Sequence, residues 1–556
     1  MWKGNSPSTA IQAAGIQKAF GISSAVNTAK PTAAEIQMTK DLEKTLQAYH
    51  MFQSEADHSR RAEILNQVND LAKRWIRDVA VSQNVPKPVA DRLGGKVFSF
   101  GSFLLGVHHK DADIDALCVV PSIIQRSDFF TSFFKLLKGQ PQVTQCHAVE
   151  EAFVPLIKMK YNGIELDLLF SRLELAEVPE NIDLQNNTLL QNLDPQSMRS
   201  LNGRRVTEAI LQNVPNVDNF RTVLRTVKVW AKNHGIYSNA LGYFGGVTWA
   251  ILVARACQLY PNAAPATLVC KFFMVFSKWR WPLPVLLKRP DNIDFGFPIW
   301  DPRLNLSDRH HLMPIITPTY PQLNSTFNVT ESTKKVILRE LERSKTISEE
   351  IMQGKAKWDH LFEAPTFFYK YRHFILLLVS SNIAEDHLKW RGLVESKIRL
   401  LVGNLSRDKQ IALAHPNPKC FDICRRRGNK PDQSLEKYIA APFCSMWFIG
   451  LEFGQVDNST INLVSCIEAF GAKLHSHAEK ILKAGMQIDA RHVKRKDLNQ
   501  YLEPEILKRE RESAEYQKSC SRSTVQTGKR KAREPLLPPS KKLNVDPVVG
   551  QSENTK

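Results

Sequence analysis

The chain has 556 residues, 43% of them hydrophobic and 24% charged, and a formal charge of +19. It is long enough for two to four domains with cores of their own, and the charge points to a polyanionic partner, nucleic acid or an acidic membrane surface. The best candidate for a bilayer span, 241–260, holds three glycines and Arg255 and reads as a buried helix; the start, Met1 to Pro7, has no apolar signal core; the nine cysteines follow no framework spacing. A soluble, intracellular protein in a reducing compartment is expected, with no membrane partner.

Residues 1–20 are small and polar, and the expectation there is disorder. A helix is predicted over Asp57–Val79, where Ile64, Val68, Leu71, Trp75, Ile76 and Val79 recur at helical spacing. A Pro-containing loop then leads to the Gly94-Gly95 turn.

The next segment carries the chemistry. Gly101-Ser102 precedes Asp113 and Asp115, and Ile114 to Val120 is apolar and β-prone, which predicts a buried strand. Successive side chains of a strand alternate faces, so positions 113 and 115 point the same way. Two carboxylates beside Gly-Ser backbone amides suit a hard divalent cation holding a triphosphate. Asp111 shares that face and is given no metal role. Val154–Tyr161, Asn162-Gly163 and Ile164–Phe170 read as a hairpin, because Asn-Gly supplies the positive φ angles of a two-residue turn. Asp167 stands on the polar face of its second strand and supplies a third carboxylate. Three carboxylates would hold two Mg²⁺ ions.

Helices dominate from about 180 to 360, the clearest at Arg221–Asn233 and Gly246–Tyr260. Lys228 and Lys232 lie one turn apart, with Tyr237 just beyond; spacing alone describes a solvated face. Gly245-Gly246-Val247 either starts the next helix or lets a ligand approach backbone amides closely. A Pro- and Trp-rich connector at 279–321 reads as irregular structure. Beyond 365, a strand (His373–Ser380), a helix (Glu385–Leu405), a strand (Ser445–Phe453) and a helix (Ile467–Ala484) predict a small α+β module. From about 506 the chain becomes a basic tail, with Lys529 to Arg533 as a nuclear address or an RNA contact. Cys420 and Cys424 lack a second pair at zinc spacing. There is no Walker loop or dinucleotide-binding glycine motif, which argues against ATPases and oxidoreductases.

The segment from Phe100 to Cys118 resembles the signature of the eukaryotic nuclear poly(A) polymerases. Ala152–Lys158, Arg199–Gly203, Ile236–Gly242, Gly245–Trp249, Leu312–Pro318 and Gly392–Arg399 are similar to the same family, and together they span about residues 20 to 500. The resemblance implies an α+β multidomain fold: a nucleotidyltransferase palm of the DNA-polymerase-β type, a helical central domain and an RRM-like (ferredoxin-like) C-terminal domain. The boundaries expected are 1–20 disordered, 21–60 a helical segment on the central domain, 61–178 the palm, 179–364 the central domain, 365–505 the RRM-like domain and 506–556 a disordered basic tail. Carried over by position, Asp113, Asp115 and Asp167 would be the catalytic metal ligands for two Mg²⁺ ions, with Mn²⁺ as a substitute. Phe100, Gly101, Ser102 and His109 would line the triphosphate side of ATP, and Ile114 would also belong to the ATP site. Lys228, Tyr237, Asn239, Gly246 and Val247 would complete that site, and Phe153, Lys158, Asn202, Asn328 and Arg399 would touch an RNA primer. The activity implied is template-independent addition of AMP to RNA 3′ ends in the nucleus, by a monomer that docks on cleavage and polyadenylation factors. Leu104 stands where the family commonly has Arg, His109 and Asp111 replace smaller or less charged residues, and the short tail implies no long Ser/Thr-rich extension. The rivals are a uridylate- or CCA-adding transferase and a catalytically silent RNA-binding adaptor.

Overall fold

A computed structural model describes residues 21–110, 112–422, 441–454, 463–479 and 481–515. The stretch expected to be disordered (1–20), Asp111, Cys424 and the Lys529–Arg533 cluster lie outside the described residues.

The first sheet is built from β1 (Lys96–Ser99), β2 (Ile114–Val120), β3 (Val143–Val149), β4 (Leu156–Tyr161) and β5 (Ile164–Arg172), side by side in the order β1-β2-β5-β4-β3. β2 and β5 run parallel; every other neighbouring pair is antiparallel. β4 and β5 form the Asn-Gly hairpin, with φ 47° at Asn162 and 80° at Gly163, the positive pair that matches the right-handed twist of the flanking strands. The long helix Glu55–Ser82 starts at Ser54, whose hydroxyl accepts from the Asp57 amide, and so runs past both ends of the predicted 57–79. It packs the six apolar residues picked out by their spacing against β1 and β2, in one core with the inward side chains of β4 and β5.

The central region is helical. Pro195–Gln212 is capped by Asp194, which accepts from Gln196 and Ser197 amides, and Pro195 occupies the first helical position. Val217–Asn233 starts four residues before the predicted Arg221 because Asn216 caps it. Gly246–Leu259, Pro265–Ser277 and Glu331–Met352 complete a core around Trp230 and Trp249, both fully buried, with ring centroids 5.5 Å apart in an edge-to-face pair. Ala33–Ala48 packs on this group, and Trp358 Nε1 donates to Met38 O in the same region. The 279–321 connector is largely irregular, with one short 3₁₀ turn at Ser307–His310.

The second sheet contains β6 (His373–Ser381), β7 (Ile411–Pro416), β8 (Phe421–Asp422), β9 (Phe443–Phe453) and β10 (Gln487–Lys494). The path is β10-β6-β9-β7, antiparallel throughout, with β8 added to β9. With helices Ala384–Leu405 and Val464–Ala478 this is the RRM-like, ferredoxin-like order. The second helix ends well before the predicted Ala484. β6 and β9 are buried along almost their whole length, so both faces of the sheet are covered. The module is bolted to the Glu331–Met352 helix: Arg339 makes a bidentate bridge to Glu452 (2.8 and 2.9 Å), and Ser332 Oγ accepts from the Ala414 amide. Residues 504–515 are helical, running from the end of the expected RRM-like domain into the tail expected to be disordered from 506. Ile506 and Leu507 pack on the core there, and Glu510 accepts from the amides of Phe368 and Tyr369.

Candidate active site

The parallel pairing of β2 and β5 puts Asp115 directly opposite Asp167. β2 begins at Ile114, so Asp113 stands one residue before the strand and is exposed. The alternation of a regular strand therefore places Asp115 but not Asp113. The turn entering the Gly101–Leu105 helix crosses directly over Asp115: Gly101 has φ +61°, and a Cβ there would lie 2.3 Å from Asp115 Oδ2. Only glycine permits that approach. Phe100 ties the turn to the strand by donating its amide to Asp115 O (3.0 Å). The Gly101 amide itself goes to Thr207 Oγ1 (3.2 Å), not to open space.

The carboxylates feel one another's charge. Burial, then Asp113 and Asp167, push Asp115 up to about 7 against the pull of Lys158 and Lys228. Burial also raises Asp167, moderated by the hydrogen bond from Lys158 Nζ (2.6 Å). Lys158 is the cross-strand partner of Asp167 on β4. Among the described residues no group of three or more His, Cys, Asp or Glu side chains is gathered closely enough to hold an ion. Three hard oxygen donors under mutual repulsion nevertheless fit a divalent cation, and the ammonium on Asp167 already supplies positive charge at that edge.

The facing wall comes from the central helices. Lys228, almost fully buried, donates to Val107 O (3.0 Å); burial lowers its pKa to about 8. Lys232 Nζ lies 3.3 Å from His109 Nε2 and 5.7 Å from the Tyr237 ring centroid. Burial, with Asp113 and Asp115 nearby, pushes the Tyr237 hydroxyl up to about 12. Gly246 makes room for that hydroxyl, since a Cβ would stand 2.7 Å from it. The Gly246–Leu259 helix has Gly245 at its N-cap and no side-chain cap, with Val247 exposed in its first turn. Asn239 Nδ2 donates to Ser325 O, and Asn328 Nδ2 donates to Asn239 Oδ1 (2.6 Å). The carboxylates, Lys228, Lys232 and Tyr237 are thus near enough to feel one another's charge, Gly246 stands against the Tyr237 hydroxyl, and Asn239 and Asn328 bond to each other.

The remaining expected residues are spread more widely. Phe100 packs its ring where Gly203 leaves space, a Cβ at Gly203 being 3.0 Å from it. Ser102 and Leu104 lie in the short Gly101–Leu105 helix, and Ile114 is buried. Phe153 is 74% exposed, with the Arg199 guanidinium 4.0 Å from its ring centroid. Asn202 is buried and accepts from Thr319 Oγ1. Arg399 sits apart, half-buried on the Ala384–Leu405 helix of the second module. Sequence reasoning missed Thr207, Arg204, which donates to Ser99 O, and Arg221 and Arg225, which reach the 105–106 carbonyls. The signal for the last two was present: with Lys228 and Lys232 they share one face of a single helix.

A five-stranded mixed sheet with carboxylates at its parallel centre, walled by a helical domain, has the architecture of the nucleotidyltransferase class. The chain belongs to the poly(A) polymerase family. Its nucleotidyltransferase domain model matches residues 21–214, its central domain model 219–364, and its predicted RNA binding domain model 366–437 and 424–512. Nuclear poly(A) polymerase 1 of Arabidopsis thaliana is 39% identical over 490 residues, covering 87% of this chain and 66% of the relative. Nuclear poly(A) polymerase 2 of the same plant is 37% identical (90% and 62%), and the poly(A) polymerase of Dictyostelium discoideum is 41% identical (78% and 52%). The chain therefore spans between about half and two thirds of the length of these relatives. A solved structure described as "Structural Plasticity of Cid1 Provides a Basis for its RNA Terminal Uridylyl Transferase Activity" covers 59% of this chain and 99% of its own, at 14% identity and a TM-score of 0.43. So distant a likeness carries no weight beyond that.

Proposed function

We propose that this chain is a polynucleotide adenylyltransferase, extending RNA 3′ ends with AMP from ATP without a template. The observation that carries the reading is the Asp115–Asp167 register pair, with Asp113 beside it, under the Gly101 turn and opposite Lys228. The primer 3′ oxygen forms a bond to the α-phosphorus as the bond to the bridging oxygen breaks; pyrophosphate leaves and the hydroxyl proton passes to solvent. Asp113, Asp115 and Asp167 would hold two Mg²⁺ ions, or Mn²⁺, which when bound acidify that hydroxyl and neutralise the phosphates.

The rest is done by the protein's own groups. Lys228 and Lys232 bring positive charge to the triphosphate, and Tyr237, with its raised pKa, stays protonated as a donor. Phe100, Gly101, Ser102 and His109 shape the phosphate side, while Asn239, Gly246 and Val247 meet the nucleoside. Exposed Phe153, stacked on Arg199, offers a face on which a primer base stacks. Lys158, which bonds Asp167 at 2.6 Å, would be free to meet the primer backbone were that carboxylate to hold a cation. Asn202, Asn328 and Arg399 complete the RNA contacts. The names of the plant relatives support nuclear residence, and cleavage and polyadenylation factors are the partners we assign to a monomeric enzyme.

The reading is tested by incubating the purified protein with a short RNA, Mg²⁺ and each of the four nucleoside triphosphates separately. Stepwise extension with ATP, and little with the others, is the expected result. Preferential incorporation of UTP or CTP would overturn it, and wild type as inactive as Asp113→Ala would favour a silent adaptor.

A further inference from the structure

Four cations climb one face of the Val217–Asn233 helix, at Arg221, Arg225, Lys228 and Lys232. Spacings of four, three and four residues keep them in line. Each meets a step of one short run of chain. Arg221 Nε donates to Leu105 O (3.0 Å), Arg225 Nη2 to Gly106 O (2.5 Å) and Lys228 Nζ to Val107 O (3.0 Å), and Lys232 Nζ reaches His109 Nε2 (3.3 Å). The run is the carbonyl end of the Gly101–Leu105 helix and the chain that leaves it toward Asp113. Those carbonyls lie beyond the reach of the helix's own amides, and cations meet the negative end of its peptide dipoles there.

The two upper rungs belong to the nucleotide side, since Asp113 acts on both Lys228 and Lys232. The two lower rungs meet other groups: Arg221 also bonds Asp218 Oδ1 (3.3 Å), and the Arg225 guanidinium lies 4.8 Å from the Phe52 ring centroid. Gly106 is shaped to this arrangement. Its φ is +70°, and a Cβ would stand 2.8 Å from Arg221 Nε. At the other end of the same turn, Thr207 and Arg204 of the Pro195–Gln212 helix hold the Gly101 amide and Ser99 O. The loop over Asp115 is therefore held at both ends by helices of the central region rather than by its own sheet alone.

We propose that Arg221 and Arg225 are positioning residues: by pinning the 105–106 carbonyls to the central helix, they set the Gly101-Ser102 turn for the triphosphate of the incoming nucleotide. This rests on the adenylyltransferase reading, and predicts that the two arginines control ATP affinity without touching ATP.

The experiment compares wild type with Arg221→Met, Arg225→Met, Arg225→Lys and Gly106→Ala, measuring KM for ATP, KM for RNA, kcat, calorimetric ATP·Mg²⁺ binding and melting temperature. The Met variants are expected to raise KM and Kd for ATP about tenfold, with kcat and KM for RNA within about twofold of wild type. Arg225→Lys restores most of the loss, because its ammonium still offers a donor to Gly106 O, and Gly106→Ala reproduces the effect with both arginines present. ATP affinity within about twofold of wild type in the Met variants and in Gly106→Ala overturns the proposal. So does an even loss of every parameter, with a lowered melting temperature that Lys does not rescue, which would mark a purely structural clamp. If a Met variant does not fold, Gly106→Ala decides by the same ATP-specific criterion. Wild type that extends RNA with UTP instead of ATP refutes the adenylate reading alone, and the same comparison is then read with UTP.

Discussion

Asp115 and Asp167 stand face to face on adjacent parallel strands, although 51 residues of chain separate them, and Lys158 already bonds the second of the two. The cleft is thus a concentration of negative charge held by backbone register. Replacing Asp113, Asp115 or Asp167 by Asn should lower kcat for AMP incorporation by about a thousandfold or more, the loss expected when transition-state charge stabilisation goes. The melting temperature should stay within a few degrees of wild type, since each change removes repulsion and little packing. A variant that kept a tenth of wild-type activity in primer extension would refute the assignment of that residue.

Gly101 is constrained twice, by its φ of +61° and by the closeness of Asp115 Oδ2. Gly101→Ala should displace that carboxylate and cut activity by about a hundredfold, as small misplacements in a reacting site do. Circular dichroism should show an intact fold. Activity near wild type would mean that the turn does not sit over Asp115 in solution.

Phe153 projects into solvent with Arg199 on its face. Truncating it to Ala should weaken primer binding by about 1–3 kcal/mol, the worth of stacking one base. KM for ATP should not change. Fluorescence anisotropy with a labelled oligoadenylate separates the two, and repeated over a salt series it should show log affinity falling linearly with log salt as phosphate contacts are screened.

His415 is buried, its Nδ1 bonded to the Tyr371 hydroxyl at 2.6 Å, and burial lowers its pKa to about 3. Between its unfolded value near 6.5 and 3, the unfolded chain binds a proton that the folded chain refuses. The stability this group contributes is complete above about 6.5 and is lost as pH falls, at up to about 1.4 kcal/mol per pH unit. Urea unfolding of wild type at pH 7.5 and 5.5 should show that loss, and His415→Gln should show less of it. Equal slopes would exclude His415 as the source.

Glu510 has the opposite sign. Its carboxylate caps the amides of Phe368 and Tyr369, yet burial raises its pKa to about 7. Between its ordinary value near 4.5 and 7 the folded chain holds a proton that the unfolded chain releases, so stability falls as pH rises through that window. Glu510→Gln, which keeps an acceptor for the amides, should raise the melting temperature at pH 8 and leave it unchanged at pH 4. A destabilised Gln variant at pH 8 would show that the charge itself is needed.

Much of this was legible in the order of residues alone. The Gly101-Ser102 and Asp113/Asp115 spacing, the Asn162-Gly163 turn and the apolar face of the Glu55–Ser82 helix are local patterns, and local patterns fix periodicity and turn geometry. The charged strand β10, with Asp489, Arg491 and His492 along it, escaped because its apolar alternation is only two residues long, Ile488 and Ala490, before polar residues break it. The tail helix at 504–515 escaped because its few apolar residues become a buried face only once β6 and β9 are in place.

What the sequence determined by itself was the kind of chemistry: three carboxylates, a glycine turn that can lie over one of them, and a surplus of basic charge. Only the tertiary structure decided which groups meet. Hydrogen-bond register across β2 and β5 made neighbours of Asp115 and Asp167, and the docking of the Val217–Asn233 helix carried Arg221, Arg225 and Lys228 onto the 105–107 carbonyls and Lys232 to the His109 ring. Such contacts join positions far apart along the chain, and their energy exists only when both partners are already fixed in space.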